Sequence, residues 1–200
     1  MKLRYSTSSP FVRKVLLVAH ETGLADRVEP VTTNAWAPDT DLVRDNPLSK
    51  VPALTTDGGE TLYDSPVICE YLDSLHDGRR LFPAAGGERW TQLRLQALAD
   101  GILDAAVQIR IETAIRPEGV RWPGWIDRQV AAIRRACDAL EQECAGWGET
   151  FLIGQITTAA ALGYLDFRGA VGEWRTGRPN LAAWYDRALA RPSMQATQPS

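Results

Sequence analysis

The sequence predicts two units in 200 residues: a small α/β domain built on a mixed sheet, then an all-α helical bundle. Three observations lead there. Through the first seventy-odd residues, short strand patterns alternate with helix patterns in the order β-α-β, then β-β-α, the signature of a parallel unit followed by a hairpin and a covering helix. A stretch rich in Gly, Pro and charge, 76–87, then reads as a linker. Beyond it the strand patterns vanish and long helical stripes take over. The expected boundaries are 1–77 for the α/β domain, 78–88 for the linker and 89–200 for the helical domain.

Each element has its own signal. Lys2–Tyr5 alternates as a strand and runs into the turn-like Ser6-Thr7-Ser8-Ser9. From Pro10, the residues Phe11, Val12, Val15, Leu16, Val18 and Ala19 recur at helical spacing, and Gly23 marks the stop. Residues 28–32 predict a second strand, after which an irregular run through Trp36, Pro38 and Asn46-Pro47 leads to Val51-Pro52. Residues 53–56 and 61–63 flank Asp57-Gly58-Gly59-Glu60, a β-hairpin. Ser65-Pro66 opens a helix whose apolar side carries Val67, Ile68, Tyr71, Leu72 and Leu75. In the second half, Trp90, Leu93, Ala97, Leu98, Ile102, Ala105 and Ile109 trace a long helix that Arg116-Pro117 ends. Further helices are expected over about 126–144, 157–169 and 181–191.

Composition narrows the function classes. Apolar residues make up 44% and charged residues 24%, a globular balance that excludes a disordered or fibrous chain. The formal charge of -3 disfavours nucleic acid and anionic membrane as partners for the surface as a whole. No run approaches the roughly 18 apolar residues of a membrane span, and Met1 to Tyr5 lacks the apolar stretch of a secretory signal. Cys69, Cys137 and Cys144 form no C-x-x-C pair and have no nearby His, so no metal site is expected. Cys137 and Cys144 on one helix would stand about 10 Å apart, too far to bridge. Three buried thiols in a cytoplasmic protein is the expectation.

The chemistry-bearing feature is a repeated local grammar. Ser9-Pro10 and Ser65-Pro66 each close a strand and open a helix. Ser is a favoured cap, because its oxygen accepts from backbone N–H groups that the first turn leaves unpaired. Pro fits the first helical position, where its missing N–H costs nothing. Each helix start therefore carries partial positive charge, suited to an anion or polar ligand. Between them lies Asn46-Pro47-Leu48-Ser49-Lys50-Val51-Pro52. A cis Pro52 would turn the Val51 backbone outward to pair with an extended peptide; a trans Pro would simply open an edge strand. The sequence admits both.

Ser8-Ser9-Pro10-Phe11-Val12-Arg13-Lys14-Val15, the run 46–54, Leu62-Tyr63-Asp64-Ser65-Pro66-Val67-Ile68 and Glu70-Tyr71-Leu72 resemble, in order and spacing, the N-terminal domain of the cytosolic glutathione S-transferases. Ala161-Leu162-Gly163-Tyr164-Leu165-Asp166-Phe167-Arg168 resembles the sixth helix of bacterial members. The resemblance implies a thioredoxin-like domain that holds glutathione, a helical domain that walls the second-substrate pocket, and a homodimer. It implies that Val51 binds the cysteinyl backbone beside Pro52, and that Asp64 and Ser65 grip the γ-glutamyl end. Lys50 is either a partner for the glycyl carboxylate or a solvated surface lysine. Ser9 matches the hydroxyl that faces the sulfur in Ser-type members, with Ser8 and Tyr5 as competing candidates. Glutathione would then be a co-substrate rather than a cofactor, consumed in attack on a small hydrophobic electrophile. A glutathione peroxidase, isomerase or dehalogenase on the same fold, or a non-catalytic glutathione-binding scaffold, are the alternatives.

Two departures stand out. Family members commonly start the sixth helix with Ser or Thr followed three residues on by Asp. Here Ala160 follows Thr157 and Ala161 follows Thr158, so the carboxylate is missing and the start of that helix is unspecified. Residues 34–39 offer no match to a further glutathione contact, which leaves Trp36 to stack on a ligand or cover the sheet. Gln108, Arg110, Glu112, Arg116, Arg121 and Trp122 are candidates for lining an electrophile pocket. Asp100 and Asp104, at i, i+4 spacing, read as a solvated helix face, and His20 and His76 as isolated surface histidines.

Overall fold

A computed structural model describes residues 1–200. The chain divides into two compact units: Met1–Ala84 together with Pro192–Ser200, and Ala85–Arg191.

The first unit is built on β1 (Lys2–Tyr5), α1 (Pro10–Glu21), β2 (Glu29–Thr32), β3 (Ala53–Thr55), β4 (Thr61–Leu62) and α2 (Ser65–Ser74). The strands form one sheet in the order β2-β1-β3-β4. β1 and β2 are parallel, joined through α1 as a parallel pair requires, and the other two pairings are antiparallel. Leu3 faces Leu54 in register, and Leu54 faces Leu62. Leu3 and Leu54 are fully buried, as are Val15, Leu17 and Val18 of α1 and Ile68, Cys69 and Leu72 of α2. α1 and α2 pack on each other. The hairpin between β3 and β4 turns where the sequence places it: Thr56 N–H donates to the Glu60 carbonyl at 2.8 Å. Gly59 sits there at φ 88°, left-handed backbone that favours glycine.

Two features of this unit differ from the sequence reading. Most of the stretch read as a linker over 78–88 is bound to the first unit: the buried Asp73 carboxylate accepts from the N–H groups of Leu81 at 2.8 Å and Phe82 at 3.1 Å. Leu81 and Phe82 supply apolar burial that a Gly- and Pro-rich composition hides. The end of the chain also returns to the first unit. A short helix, α7 (Pro192–Ala196), packs on α1, where the Arg13 guanidinium donates to the Met194 carbonyl and Ser193 Oγ to Glu21.

The second unit comprises α3 (Gly86–Arg110), α4 (Pro123–Cys144), α5 (Ile153–Arg168) and α6 (Pro179–Leu189), with a single π-helical turn over Ile111–Ile115. α5 is its centre, buried at every residue from Ile153 to Leu165. It starts at Ile153, four residues before the expected 157. The missing Asp is replaced by two glutamines: Leu152 N–H donates to Gln155 Oε1 at 3.1 Å and Gly154 N–H to Gln92 Oε1 of α3 at 3.0 Å. These satisfy backbone donors that a helix start otherwise leaves unpaired. Thr157 and Thr158 instead lie inside the helix and donate to the carbonyls four residues back. Gly154 permits the close approach of α3: a Cβ there would lie 2.7 Å from both Gln92 Oε1 and Leu95 Cβ. No helix of the chain is long and apolar enough to cross a membrane. All three cysteines are unbridged and buried.

Candidate functional site at one end of the sheet

Strand direction brings the sequence-predicted residues together. Because β1 and β3 are antiparallel, and β3 and β4 likewise, the C-terminal ends of β1 and β4 lie beside the start of β3. The loops holding Ser8-Ser9, Lys50-Val51-Pro52 and Asp64-Ser65 thus leave from one end of the sheet. The same end receives the N-termini of α1 and α2, so two helix dipoles converge there with their positive poles. β2, parallel to β1, also ends there and leads to Trp36, which is exposed.

Ser9 is the cap of α1, with extended backbone, and its Oγ accepts from Val12 N–H at 3.3 Å. Pro10 occupies the first helical position. Accepting that bond uses a lone pair and leaves the Ser9 O–H free to donate outward. Ser8 has no comparable link to the helix. Tyr5 lies half-buried on β1, with its carbonyl accepting from Thr33 N–H at 2.8 Å.

At α2 the capping residue differs from the one the Ser-Pro pattern suggests. Asp64 is the cap, Ser65 the first helical residue and Pro66 the second. The Asp64 side chain makes no capping bond, so its exposed carboxylate stays available, while its carbonyl accepts from Ile68 N–H at 3.1 Å. Ser65 is buried, at 1% exposure, and places its N–H and Oγ in the first turn of the helix. An unpaired carboxylate and a helix-start hydroxyl are adjacent, which suits a zwitterionic ligand group better than a simple anion.

Val51 lies outside the β1–β3 ladder, which begins at Ala53, so its N–H and C=O are not used by the sheet. The Val51–Pro52 bond is cis, the first of the two forms that the sequence admits; Tyr63–Asp64 is cis as well. Lys50 is exposed and forms no ion pair within the chain. The preceding turn is held from inside. Asn46, at 1% exposure, donates from Nδ2 to the Lys50 carbonyl at 2.8 Å and accepts at Oδ1 from Leu48 N–H at 3.0 Å. Its own carbonyl accepts from Ser49 N–H at 2.8 Å. A 3-10 turn over Asp41–Arg44 leads into this loop and is tied to β1 by Arg4, which pairs with Asp41 at 3.0 Å and Asp45 at 2.5 Å. The hydrogen bond from Arg4 holds the Asp41 carboxyl below its ordinary range. Asn46 is the residue of this site that pattern reading passed over, although it heads the motif.

In the helical unit the candidates after α3 are a staple. The buried Glu112 carboxylate accepts from Arg116 Nε at 2.9 Å and Trp122 N–H at 2.6 Å, closing the π turn onto the start of α4. Arg121 Nε donates to the Arg116 carbonyl at 3.1 Å. A hollow of about 50 Å³ elsewhere in this unit, lined by Thr150, Phe151, Trp184, Arg187 and Arg191, holds none of the predicted site residues. His76, read as isolated, pairs through Nε2 with buried Asp73 at 3.0 Å. No group of three or more His, Cys, Asp or Glu side chains converges as metal ligands would.

Two family models match the chain. The N-terminal domain of glutathione S-transferase matches residues 8–75 and the C-terminal domain matches residues 123–187. An uncharacterised GST-like protein of Escherichia coli (strain K12), YibF, is 33% identical over 202 residues, covering 100% of this chain and 98% of its own length. Among solved structures, a glutathione transferase family member from Pseudomonas fluorescens Pf-5 with bound glutathione superposes with a TM-score of 0.94 at 48% identity, covering 100% of this chain and 98% of that one. A glutathione S-transferase from Methylobacillus flagellatus KT with glutathione bound gives 0.92 at 36% identity, with 100% and 99% covered. The chain belongs to the glutathione S-transferase family, with a mixed four-stranded sheet and helices in the N-terminal domain and a helical C-terminal domain.

Proposed function

We propose that this protein is a glutathione transferase in which Ser9 stabilises the glutathione thiolate for attack on a small hydrophobic electrophile. The observation that carries the reading is the convergence of three loops and two helix N-termini at one end of the sheet, each offering what one part of an extended tripeptide needs. Val51 N–H and C=O pair with the cysteinyl backbone, as an added strand would. Asp64 takes the γ-glutamyl ammonium, and Ser65 with the α2 terminus takes its carboxylate. Lys50 takes the glycyl carboxylate. The relatives solved with glutathione, at 48% and 36% identity, support the ligand.

The Ser9 hydroxyl donates to the sulfur. A free thiol of pKa about 8.5 is only about 3% ionised at pH 7. Lowering it by about two units, about 2.7 kcal/mol, makes it about 75% thiolate. A charge-assisted hydrogen bond, about 1.5–3 kcal/mol, and the helix terminus, about 0.3–1 kcal/mol, together supply that amount. The thiolate forms a bond to the electrophilic carbon. In substitution the leaving group departs with the bonding pair; in addition the displaced pair takes up a proton from water. We propose further that the working form is a homodimer in the cytoplasm, following the family and the three unbridged thiols. Light scattering should give twice the chain mass; a single-chain mass across a wide concentration range refutes the dimer.

Glutathione titration calorimetry with Ser9→Ala and Ser65→Ala tests the reading. Ser65→Ala should mainly weaken binding, and Ser9→Ala should mainly lower kcat. The reverse pattern would mean the roles are exchanged. Intact binding without turnover over a panel of electrophiles and hydroperoxides would replace the transferase by a binding protein.

A further inference from the structure

We propose that Asn46 is a positioning residue for glutathione: it sets the pose of the Lys50–Val51 backbone, although its own side chain is sealed from solvent. This inference rests on the glutathione reading above and deepens it.

The Lys50-Val51 segment lacks the support that the rest of the site has. It lies before β3, outside the ladder, so no sheet hydrogen bond fixes it. Ser49 just upstream holds left-handed backbone at φ 51°, a conformation that a serine keeps only when its surroundings impose it. What imposes it is Asn46. Its amide bridges the turn, taking Leu48 N–H on Oδ1 and giving Nδ2–H to the Lys50 carbonyl, while its backbone carbonyl takes Ser49 N–H. Three successive residues before Val51 are thereby tied to one buried side chain and its backbone. The Lys50 carbonyl belongs to the peptide that also carries the Val51 N–H, so the Nδ2 bond orients the very peptide plane that would pair with the ligand. Arg4, through Asp41 and Asp45, anchors the segment immediately ahead of Asn46 to β1. An aspartate at 46 would keep the acceptor for Leu48 and lose the donor, setting an anionic oxygen against the Lys50 carbonyl. Alanine would lose both bonds.

The test compares Asn46→Ala, Asn46→Asp and Thr56→Val with the unaltered protein, using glutathione binding by calorimetry and steady-state kinetics. Thr56 is a buried residue whose Oγ1 accepts from Glu60 N–H in the hairpin turn at the opposite end of the sheet, so its loss is structural without touching the site. Both Asn46 variants should raise Kd and KM for glutathione about five- to tenfold, the loss expected of a hydrogen bond or two. kcat at saturating glutathione should stay within about twofold, and Thr56→Val should leave Kd unchanged. The Asn46→Asp defect should shrink from pH 7 to pH 5, because a protonated carboxyl donates to the Lys50 carbonyl again, whereas Asn46→Ala should show no such recovery. Should the variants not fold, amide exchange of Leu48 and Ser49 in the unaltered protein should slow on adding glutathione, since ligand and turn stabilise each other. Unchanged affinity in folded Asn46 variants, an equal affinity loss in Thr56→Val, or exchange indifferent to glutathione would overturn the role of Asn46. No binding by the unaltered protein would instead overturn the glutathione reading itself.

Discussion

Replacing Gly154 by alanine should destabilise the helical unit by about 2–3 kcal/mol, the reverse of what helix propensity alone suggests. Alanine in place of a helical glycine ordinarily gains about 1 kcal/mol. At Gly154 the added Cβ would stand 2.7 Å from Leu95 Cβ and 2.7 Å from Gln92 Oε1. Carbon atoms pack at about 3.5–4.0 Å, so α3 and α5 must part by about 1 Å. Gln92 can swing aside, but Leu95 Cβ is fixed to the backbone, and overpacking of this kind costs about 1–3 kcal/mol. Moving Gln92 also breaks its bond to the buried Gly154 N–H, another 1–3 kcal/mol or so. Gly101 supplies the control: it is exposed in α3 with nothing within 4 Å of a built Cβ. Gly101→Ala should stabilise by about 0.5–1 kcal/mol. Urea unfolding followed by far-ultraviolet circular dichroism reads both, and the Gly154→Ala midpoint in a thermal scan should fall about 5–10 °C. A Gly154→Ala protein as stable as the unaltered one would refute the close approach of the two helices.

Gln155→Ala should cost about 1 kcal/mol by unpairing Leu152 N–H, and less than about 0.3 kcal/mol would show that the missing Asp needed no substitute. Asp64→Asn should weaken glutathione binding about tenfold while leaving binding of the des-amino analogue, which lacks the γ-glutamyl ammonium, unchanged; equal loss for both would remove Asp64 from that role. Burial pushes the Cys137 thiol up to about 11. The fold keeps the neutral thiol, so its contribution is complete below the unfolded value of about 8.5 and is lost as pH climbs from there to about 11. Urea midpoints should fall through that window, and less steeply in Cys137→Ala; identical pH profiles would contradict it.

Sequence and structure agree where a local rule decides and part where a distant residue does. Ser9-Pro10 was legible as a cap because both preferences act within one turn, and Asp57-Gly58-Gly59-Glu60 because a hairpin turn is set by its own residues. The end of the sheet where the site gathers follows from strand order and direction together. The start of α5 was hidden because one of its partners, Gln92, is 62 residues away on α3. At α2 the Ser-Pro pattern placed the cap one residue late, since Asp64 holds the extended backbone that a cap requires. The return of 192–200 to the first unit rests on Arg13 and Glu21 of α1, charged residues that periodicity counts as solvent-facing. Asn46 carries no signal of its role in the sequence, because a buried amide serving a turn leaves no periodic trace.

Titrating the ultraviolet absorbance of the bound sulfur anion against pH confronts the account most directly. Glutathione on the unaltered protein should ionise with a midpoint near pH 6.5, about two units below the free thiol. Ser9→Ala should move that midpoint up by about one to two units, Ser9→Thr should restore it, and Ser8→Ala should leave it in place. Bound glutathione that ionises no more readily than in water, or a Ser9→Ala midpoint equal to that of the unaltered protein, would contradict it.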